Sequence, residues 1–330
     1  MSQAPGGSER THVIVGAGPV GTALAQRLAA SGDRVRVVTR SGSGVGSSSA
    51  HPLIESIAAD ASDSAALTAH CAGADVLYNC ANPGSYTQWQ RVWPPLAASL
   101  LTAAERSGAV LVTMSNLYGY GPVDVPMTTE LPLAATDHKG RLRAQMWQDA
   151  LAAHQAGRAR VTEARASDYI GPTGFRSGML GMYAAATLRG KSAVVFGDPD
   201  QPHSWTAIDD VAATLAVLGA DERAWGSAWH VPTNPPTTIR DTLRDLGSIA
   251  ADDPAATQEP RLRRMPHWAL SAAGAVVPLL REVGGVLYQF ERPFVIDAAA
   301  TTATFGLTPT PWEQLLEQSA HAWRREVLAR

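Results

Sequence analysis

The stretch VIVGAGPVGTALAQRL, residues 13–28, decides the fold of this protein. An apolar run ends in a glycine, and a helix rich in alanine and leucine follows it. Three glycines have the spacing G-x-G-x-x-G, which allows a tight turn, close approach of a pyrophosphate and close packing of helix on sheet. Because the amino end of the helix presents free amide donors, this strand–turn–helix unit predicts dinucleotide binding. The residues predicted to hold the phosphates are Gly16, Gly18, Pro19, Val20 and Gly21.

Further apolar runs alternate with helical segments along the first half of the chain, a pattern typical of a parallel sheet covered on both faces. They lie at residues 34–40, 74–81, 109–115, 160–166 and 192–196. We therefore predict an α/β protein, with a Rossmann-type doubly wound parallel sheet and a smaller, interleaved C-terminal substrate lobe. The nucleotide-binding domain is expected over residues 1–170 and again over 205–232. The substrate lobe is expected to take most of 171–204 and 233–330.

The composition of the chain limits the kinds of partner that it is expected to bind. The 330 residues carry a formal net charge of −3 without a basic tail, so we expect neither nucleic acid nor a membrane as partner. Cys71 and Cys80 are too few for a disulfide framework, and we predict no metal site and a cytoplasmic location. The most apolar later stretch, WALSAAGAVVPLL at residues 268–280, is too short to span a bilayer. We expect it to be a buried or pocket-lining helix.

The end of the second apolar run bears on cofactor choice. A protein that selects NAD usually has a carboxylate there for the ribose 2′-hydroxyl. This chain instead has Thr39, Arg40 and Ser41, a guanidinium with hydroxyls, which suit a 2′-phosphate. We therefore expect NADP(H) rather than NAD, although an exposed arginine at a strand end is also common.

Several segments, in their order along the chain, resemble the extended short-chain dehydrogenase/reductases, the group that contains sugar-nucleotide epimerases and dehydratases. They are residues 58–81, VTMSNLYGYGP (112–122), EARASDYIGP (163–172), residues 197–218 and the terminal FGLTPTP (305–311). The resemblance covers nearly the whole chain and implies the same fold. It also implies that Asp60 and Ala61 lie beside adenine, that Cys80 and Ala81 lie beside the ribose and pyrophosphate, and that Ser167 lies near the nicotinamide.

This chain departs from the catalytic pattern of that family. The family has a proton-transferring tyrosine four residues before a lysine, and counting forward from Ser115 places Lys139 and Arg143 at those two positions. A buried Lys139 could donate a proton or stabilise an alkoxide, or it could only hold the cofactor ribose. Arg143 is expected to bind the cofactor or to pack on the next helix. The candidate catalytic residues are Lys139, Ser115, Tyr118 and His203, with Tyr120 and Tyr169 as further proton donors.

Aromatic residues in the matching segments predict an apolar substrate pocket. Trp93 stands where the family often has an asparagine, and His203 stands where it often has a basic residue for a sugar-nucleotide phosphate. The predicted substrate contacts are Trp93, Tyr120, Tyr169, His203, Trp205 and Tyr288. The segment 279–297 is expected to line or close the pocket.

These observations favour an NADP(H)-dependent reductase of a small, largely apolar carbonyl, imine or conjugated molecule. A nucleotide-sugar epimerase or dehydratase is the first alternative, and a non-catalytic NADP-binding sensor is the second. Helices near residues 94–106 and 141–156 match the pair with which this family often forms a dimer, so a homodimer is possible.

Overall fold

The computed structural model describes residues 9–45, 51–251 and 259–329. The strands are β1 (Thr11–Val15), β2 (Arg34–Thr39), β3 (Ile54–Ala58), β4 (Val76–Asn79), β5 (Val110–Asn116), β6 (Val161–Ala166), β7 (Asp168–Ile170), β8 (Ala193–Val195), β9 (Trp205–Ala207), β10 (Ala228–His230) and β11 (Leu262–Arg264). The α-helices are α1 (Pro19–Ala30), α2 (Ser64–His70), α3 (Trp89–Ser107), α4 (His138–Gln155), α5 (Met179–Thr187), α6 (Ile208–Ala220), α7 (Ile239–Ala250), α8 (His267–Val276), α9 (Pro278–Gly284), α10 (Ala299–Phe305) and α11 (Trp312–Leu328).

Seven strands form one sheet in the order β10-β6-β5-β4-β1-β2-β3, and each neighbouring pair is parallel. One face packs against α1 and α6 through side chains such as Leu24 and Leu215. The other face packs against α2, α3 and α4 through side chains such as Leu67, Leu100 and Trp147. The predicted doubly wound parallel sheet is confirmed.

The order of the strands places a crevice above β1. From β1 the chain runs outward through β2 and β3 on one side, then returns to β4 and runs outward through β5 and β6 on the other. In such a sheet the connections leave opposite faces at the point of reversal, and ligands bind outside the carboxyl ends of the strands there. The glycine turn after β1 and the segment after β4 meet at this point, because Gly16 lies against Ala81.

A second body of side chains surrounds α5, α7 and α11, with Phe175, Leu243 and Trp323 in its core. The run at residues 192–196 forms β8, but it pairs with β11 outside the main sheet, so its expected place in that sheet was wrong. Ala193 and Val195 pack into this second core instead. Two strands of the main sheet, β3 and β10, were not anticipated.

The stretch at residues 268–280 is not a buried helix. Pro278 begins a second helix, so α8 and α9 form a hairpin that packs largely on itself. Trp268 is 75% exposed and Val276 is 83% exposed, whereas Leu270 and Gly274 are buried. No helix in the described ranges is long and apolar enough to cross a membrane.

Candidate functional site

A cavity of about 1310 Å³ opens at the carboxyl ends of the central strands. Cavities for drug-sized ligands are usually about 300–1,000 Å³, so this one has room for a dinucleotide and a second molecule. The predicted cofactor and catalytic residues that line it are Gly16, Gly18, Pro19, Val20, Thr39, Arg40, Asp60, Ala61, Cys80, Ala81, Ser115, Tyr118, Arg143, Ser167 and Tyr169. The tertiary structure therefore brings most of the predicted cofactor residues to one surface.

The glycine loop forms the floor of this cavity. Gly16 has a φ of +102°, and a Cβ there would lie 2.9 Å from the backbone of Ala81. A Cβ at Gly21 would collide with the carbonyl oxygen of Gly16, so these two positions require glycine. Gly18 begins α1, and no side chain of the described residues caps that helix end. The amide donors at the start of α1 therefore remain available to an anion in the cavity.

The far end of the cavity lies beside β2. Thr39 and Arg40 face it, and the Thr39 hydroxyl donates to the carbonyl of Ser43. The Ser41 hydroxyl is hydrogen-bonded to that of Ser43 at 2.6 Å, so Ser41 shapes the turn and lies away from the cavity. Asp60 also faces this end, and hydrogen bonds from Ser62 lower the pKa of its carboxyl group.

Arg143 lies at the centre of the cavity wall with its guanidinium between two indole rings. Its Cζ lies 4.1 Å from the ring of Trp93 and 4.8 Å from the ring of Trp89. The residue is 6% exposed, and its Nε and Nη1 have no hydrogen-bond partner among the described residues. Burial lowers its pKa to about 10, so it remains charged at neutral pH. A buried, charged group without partners is costly, and a ligand that accepts hydrogen bonds would remove that cost.

Trp93 was expected to contact substrate, but the structure gives it a different place. It is fully buried and stands behind Arg143, away from the cavity surface. Its role is to support the guanidinium through a cation–π contact.

Lys139 is buried completely, with 0% exposure, and does not face the cavity. Its Nζ donates to the carboxylate of Glu282 at 2.8 Å and to the carbonyl oxygen of the same residue at 2.9 Å. His138 also contacts this carboxylate, at 3.0 Å. Lys139 therefore attaches α9 to the start of α4, and its amine is directed at Glu282 and not at the cavity.

Two tyrosines form a pair on the cavity wall. The Tyr118 hydroxyl lies 2.7 Å from that of Tyr86, and both residues line the cavity. Burial raises the pKa of Tyr118 well above its usual value, and burial also raises that of Tyr169. Neither phenol is prepared to ionise at neutral pH. The sequence contains no tyrosine followed four residues later by a lysine.

Four further predicted substrate contacts, besides Trp93, lie outside the cavity surface. Tyr120 is buried and hydrogen-bonded to Arg165 and His230, each at 2.7 Å, so it belongs to the core. Trp205 packs against His203, and Tyr288 packs against Phe294. His203 is 2% exposed and does not line the cavity, but it contacts Asp168 and Gln289, which do. Asp168 was not among the predicted site residues. In the family that the segment 163–172 resembles, this strand has the pattern R-x-x-N-x-Y-G-P. Asp168 occupies the asparagine position of that pattern, and this correspondence could have identified it.

The remaining part of the cavity is mostly apolar. Its lining includes Phe175, Met179, Val283, Val286, Leu287, Phe290 and Phe294. Polar side chains in the same part of the lining include Asp168, Ser177 and Gln289. Arg176 lies at the rim, in an ion pair with Glu326. Within the described ranges no group of histidine, cysteine and carboxylate side chains is arranged to hold a metal ion.

The sequence model of the NAD dependent epimerase/dehydratase family matches residues 12–227, more than half of the chain. The crevice, the glycine loop and this match together define an enzyme of the extended short-chain dehydrogenase/reductase type. The chain belongs to the NAD dependent epimerase/dehydratase family. None of the proteins with curated functions matches the sequence.

Solved structures of nucleotide-sugar enzymes have the same fold along the whole chain. A dTDP-glucose 4,6-dehydratase from Bacillus anthracis, in complex with NAD, is 17% identical with a TM-score of 0.78, covering 96% of this chain and 97% of its own. The dTDP-glucose 4,6-dehydratase DesIV from Streptomyces venezuelae is 18% identical with a TM-score of 0.76 and the same coverage. A UDP-glucose 4-epimerase from Thermotoga maritima is 17% identical with a TM-score of 0.75, covering 96% and 99%. At these identities the likeness shows the fold.

Proposed function

We propose that this protein is a nicotinamide-dependent oxidoreductase that reduces a carbonyl or imine of a small, largely apolar molecule. The observation that carries the proposal is the unpartnered guanidinium of Arg143 in a cavity that has the glycine loop at one end and apolar side chains at the other. The hydroxyl oxygens of a ribose could accept hydrogen bonds from the guanidinium of Arg143. A compact apolar molecule would fit against the apolar side chains.

The residues present fit a dinucleotide. The uncapped start of α1 suits the pyrophosphate, Asp60 and Ala61 suit the adenine end, and Arg143 suits the nicotinamide ribose. When bound, the reduced nicotinamide supplies a hydride. The chain itself orients the reacting molecules and keeps water from the apolar half of the cavity.

We propose NADP(H) rather than NAD as the cofactor. Arg40 faces the adenine end of the cavity, and residues 39–45 contain no carboxylate to select a free 2′-hydroxyl. A guanidinium can bind a 2′-phosphate with two hydrogen bonds. The two dehydratases compared above are described with NAD, so titration of both cofactors is the direct test.

A nucleotide-sugar epimerase or dehydratase is the second candidate, and the comparisons favour it over a reductase of a small molecule. The compared enzymes act on dTDP-glucose or UDP-glucose, and they match 96% of this chain, including the part around the apolar half of the cavity. Arg176 and Ser177 at that end could receive a phosphate. The apolar lining and the carboxylate of Asp168 fit a dianionic diphosphate less well.

The experiment first measures binding of NADPH and NADH by fluorescence to the wild type, Arg143→Ala and Arg141→Ala. Arg141 is exposed on the same helix and serves as the matched control. We expect Arg143→Ala to weaken binding of the preferred cofactor at least tenfold, because a charge-assisted hydrogen bond contributes about 1.5–3 kcal/mol. We expect Arg141→Ala to leave cofactor binding unchanged.

A substrate panel then separates the two candidates. Oxidation of NADPH by small ketones, enones or cyclic imines supports the reductase. Conversion of a dTDP- or UDP-sugar with tightly retained NAD and no net cofactor consumption supports the alternative instead. Nucleotide binding without turnover on either panel would point to the sensor. We also propose a division between the two domains at residue 170, a homodimer formed through α3 and α4, and a cytoplasmic location.

A further inference from the structure

We propose that Asp168 and His203 form the proton donor of this site, with Asp168 as the catalytic residue and His203 as the residue that positions and reprotonates it. The assignment rests on the proposed function, because it names the group that delivers a proton where the family's tyrosine is absent. It depends on the geometry of two side chains, Asp168 and His203, and of the backbone carbonyl of Gln289.

Asp168 begins β7 and faces the apolar half of the cavity, with a side chain that is 26% exposed. His203 lies directly behind it. The imidazole Nε2 is 2.8 Å from Oδ2 of Asp168, and the imidazole Nδ1 is 3.2 Å from the backbone carbonyl oxygen of Gln289. Both ring nitrogens therefore face oxygen atoms.

This arrangement indicates where the protons of the proposed donor lie. Because a carbonyl oxygen only accepts hydrogen bonds, the proposal places a proton on Nδ1, where it can donate to Gln289. Nε2 then either carries a second proton, facing an ionised Asp168, or accepts a proton from the neutral acid. In both cases the pair holds one proton more than a neutral histidine beside an ionised carboxylate. That proton lies at the cavity wall.

The surroundings keep the imidazole in this orientation. The ring stacks on Phe290 at 5.1 Å and on Phe294 at 5.3 Å, and it contacts Trp205 at 4.4 Å. The backbone of His203 is paired in both directions with that of Thr237. A ring held on two faces and at both nitrogens cannot rotate to exchange partners.

Besides His203, the titratable groups that interact electrostatically with Asp168 include four phenols. Tyr86 and Tyr118 approach it from the segments before α3 and after β5, Tyr169 is its neighbour in β7, and Tyr183 lies on α5. Lys139 points elsewhere, into its contact with Glu282. Asp168 therefore lies on the cavity wall with His203 directly behind it, which is the placement that the proposed donor requires.

The step balances as follows. The new C–H bond would form with hydride given up by a C–H bond of the reduced nicotinamide, and the electrons of the C=O π bond would become a lone pair on the alkoxide oxygen. Asp168 transfers its carboxyl proton to that oxygen, which yields the alcohol. The Nε2–H of His203, if it held the proton, passes it to Asp168, and the pair regains one proton from solvent after product leaves. For an imine the same proton reaches nitrogen.

The first test needs no substrate. Nitrogen-15 NMR of the resting protein at pH 7, with the His203 signals assigned by their loss in His203→Gln, reports which ring nitrogens carry protons. We expect Nδ1 to be protonated. A neutral His203 with a bare Nδ1 would overturn the proposal, whatever the protein turns over, and this result does not depend on the proposed reductase activity.

The second test uses turnover. Asp168→Asn should lower kcat about 100-fold or more, as expected for loss of a positioned general acid, and should remove the alkaline limb that the donor gives to the pH profile. NADPH affinity should stay within about twofold of wild type. His203→Gln should shift that limb, which a purely structural role would not. Asp124→Asn, an exposed carboxylate paired with Arg292, is the control. Unchanged kcat in folded Asp168→Asn would refute the assignment.

Discussion

The buried ion pair between Lys139 and Glu282 offers a sharp test of how α9 is held over the cavity. Glu282→Ala removes the carboxylate that lies 2.8 Å from Nζ and leaves the ammonium at 0% exposure with only the Glu282 carbonyl oxygen, 2.9 Å away. An ammonium in that position must lose its burial or remain uncompensated, so we expect the contact between α9 and α4 to open.

The expected cost follows from the burial of the two partners. Breaking a buried pair by removing one partner costs about 3–5 kcal/mol. Glu282 is 17% exposed, so water reaches the ammonium after a small movement of α9, and we expect about 2–3 kcal/mol. The double variant Lys139→Met with Glu282→Leu removes both charges and retains apolar volume. It should recover most of that loss.

Urea unfolding of wild type, both single variants and the double variant measures these free energies, and limited proteolysis within 278–290 reports local opening. Glu9→Gln, which removes the exposed partner of Arg34, is the control and should leave the free energy of unfolding nearly unchanged. If Glu282→Ala unfolds like the control and α9 stays protected, Lys139 does not hold the helix, and its amine is free for another role.

Other predictions concern the cofactor and the fold. Arg40→Ser should weaken NADPH binding about tenfold or more and leave NADH binding nearly unchanged, as two fluorescence titrations would show; equal losses would argue against a 2′-phosphate contact. Gly21→Ala should abolish binding of either cofactor, because its Cβ would collide with the carbonyl oxygen of Gly16. Burial lowers the pKa of His230 to about 4, so the unfolded chain binds a proton between pH 6.5 and 4 that the folded chain does not. Stability should therefore fall by up to about 3 kcal/mol as pH drops through that interval, at about 1.4 kcal/mol per pKa unit. His230→Gln should flatten this slope in urea unfolding at a series of pH values, and an unchanged slope would assign it to other groups.

Local signals were enough to identify the nucleotide crevice. The glycine loop works through contacts within one turn, and two of its glycines, Gly16 and Gly21, are required because of close approaches to neighbouring backbone. Gly16 and Arg40 could therefore be placed at one surface from their strands alone, and the family resemblance implied the place of Ala81. The alternation of apolar runs and helices predicted the parallel sheet for a similar reason, since strands buried on both faces must be apolar throughout.

The arrangement of the catalytic half of the cavity could not be predicted from local sequence patterns. Lys139 and Arg143 are one turn apart on α4, and the sequence shows two similar cations. Their difference comes from remote residues. Glu282, far along the chain, binds one, and Trp89 and Trp93 enclose the other. Likewise the sequence pointed to His203 but not to Asp168, which contacts it and lines the cavity.

The sequence by itself determined the class of fold, the family and the position of the phosphate loop, because each depends on short-range patterns whose physical requirements are local. Only the tertiary structure decided which charged side chains face the cavity and which are bound to other parts of the chain. The energy of a buried charge depends on the groups within a few ångströms of it, and those groups come from segments brought together only by folding.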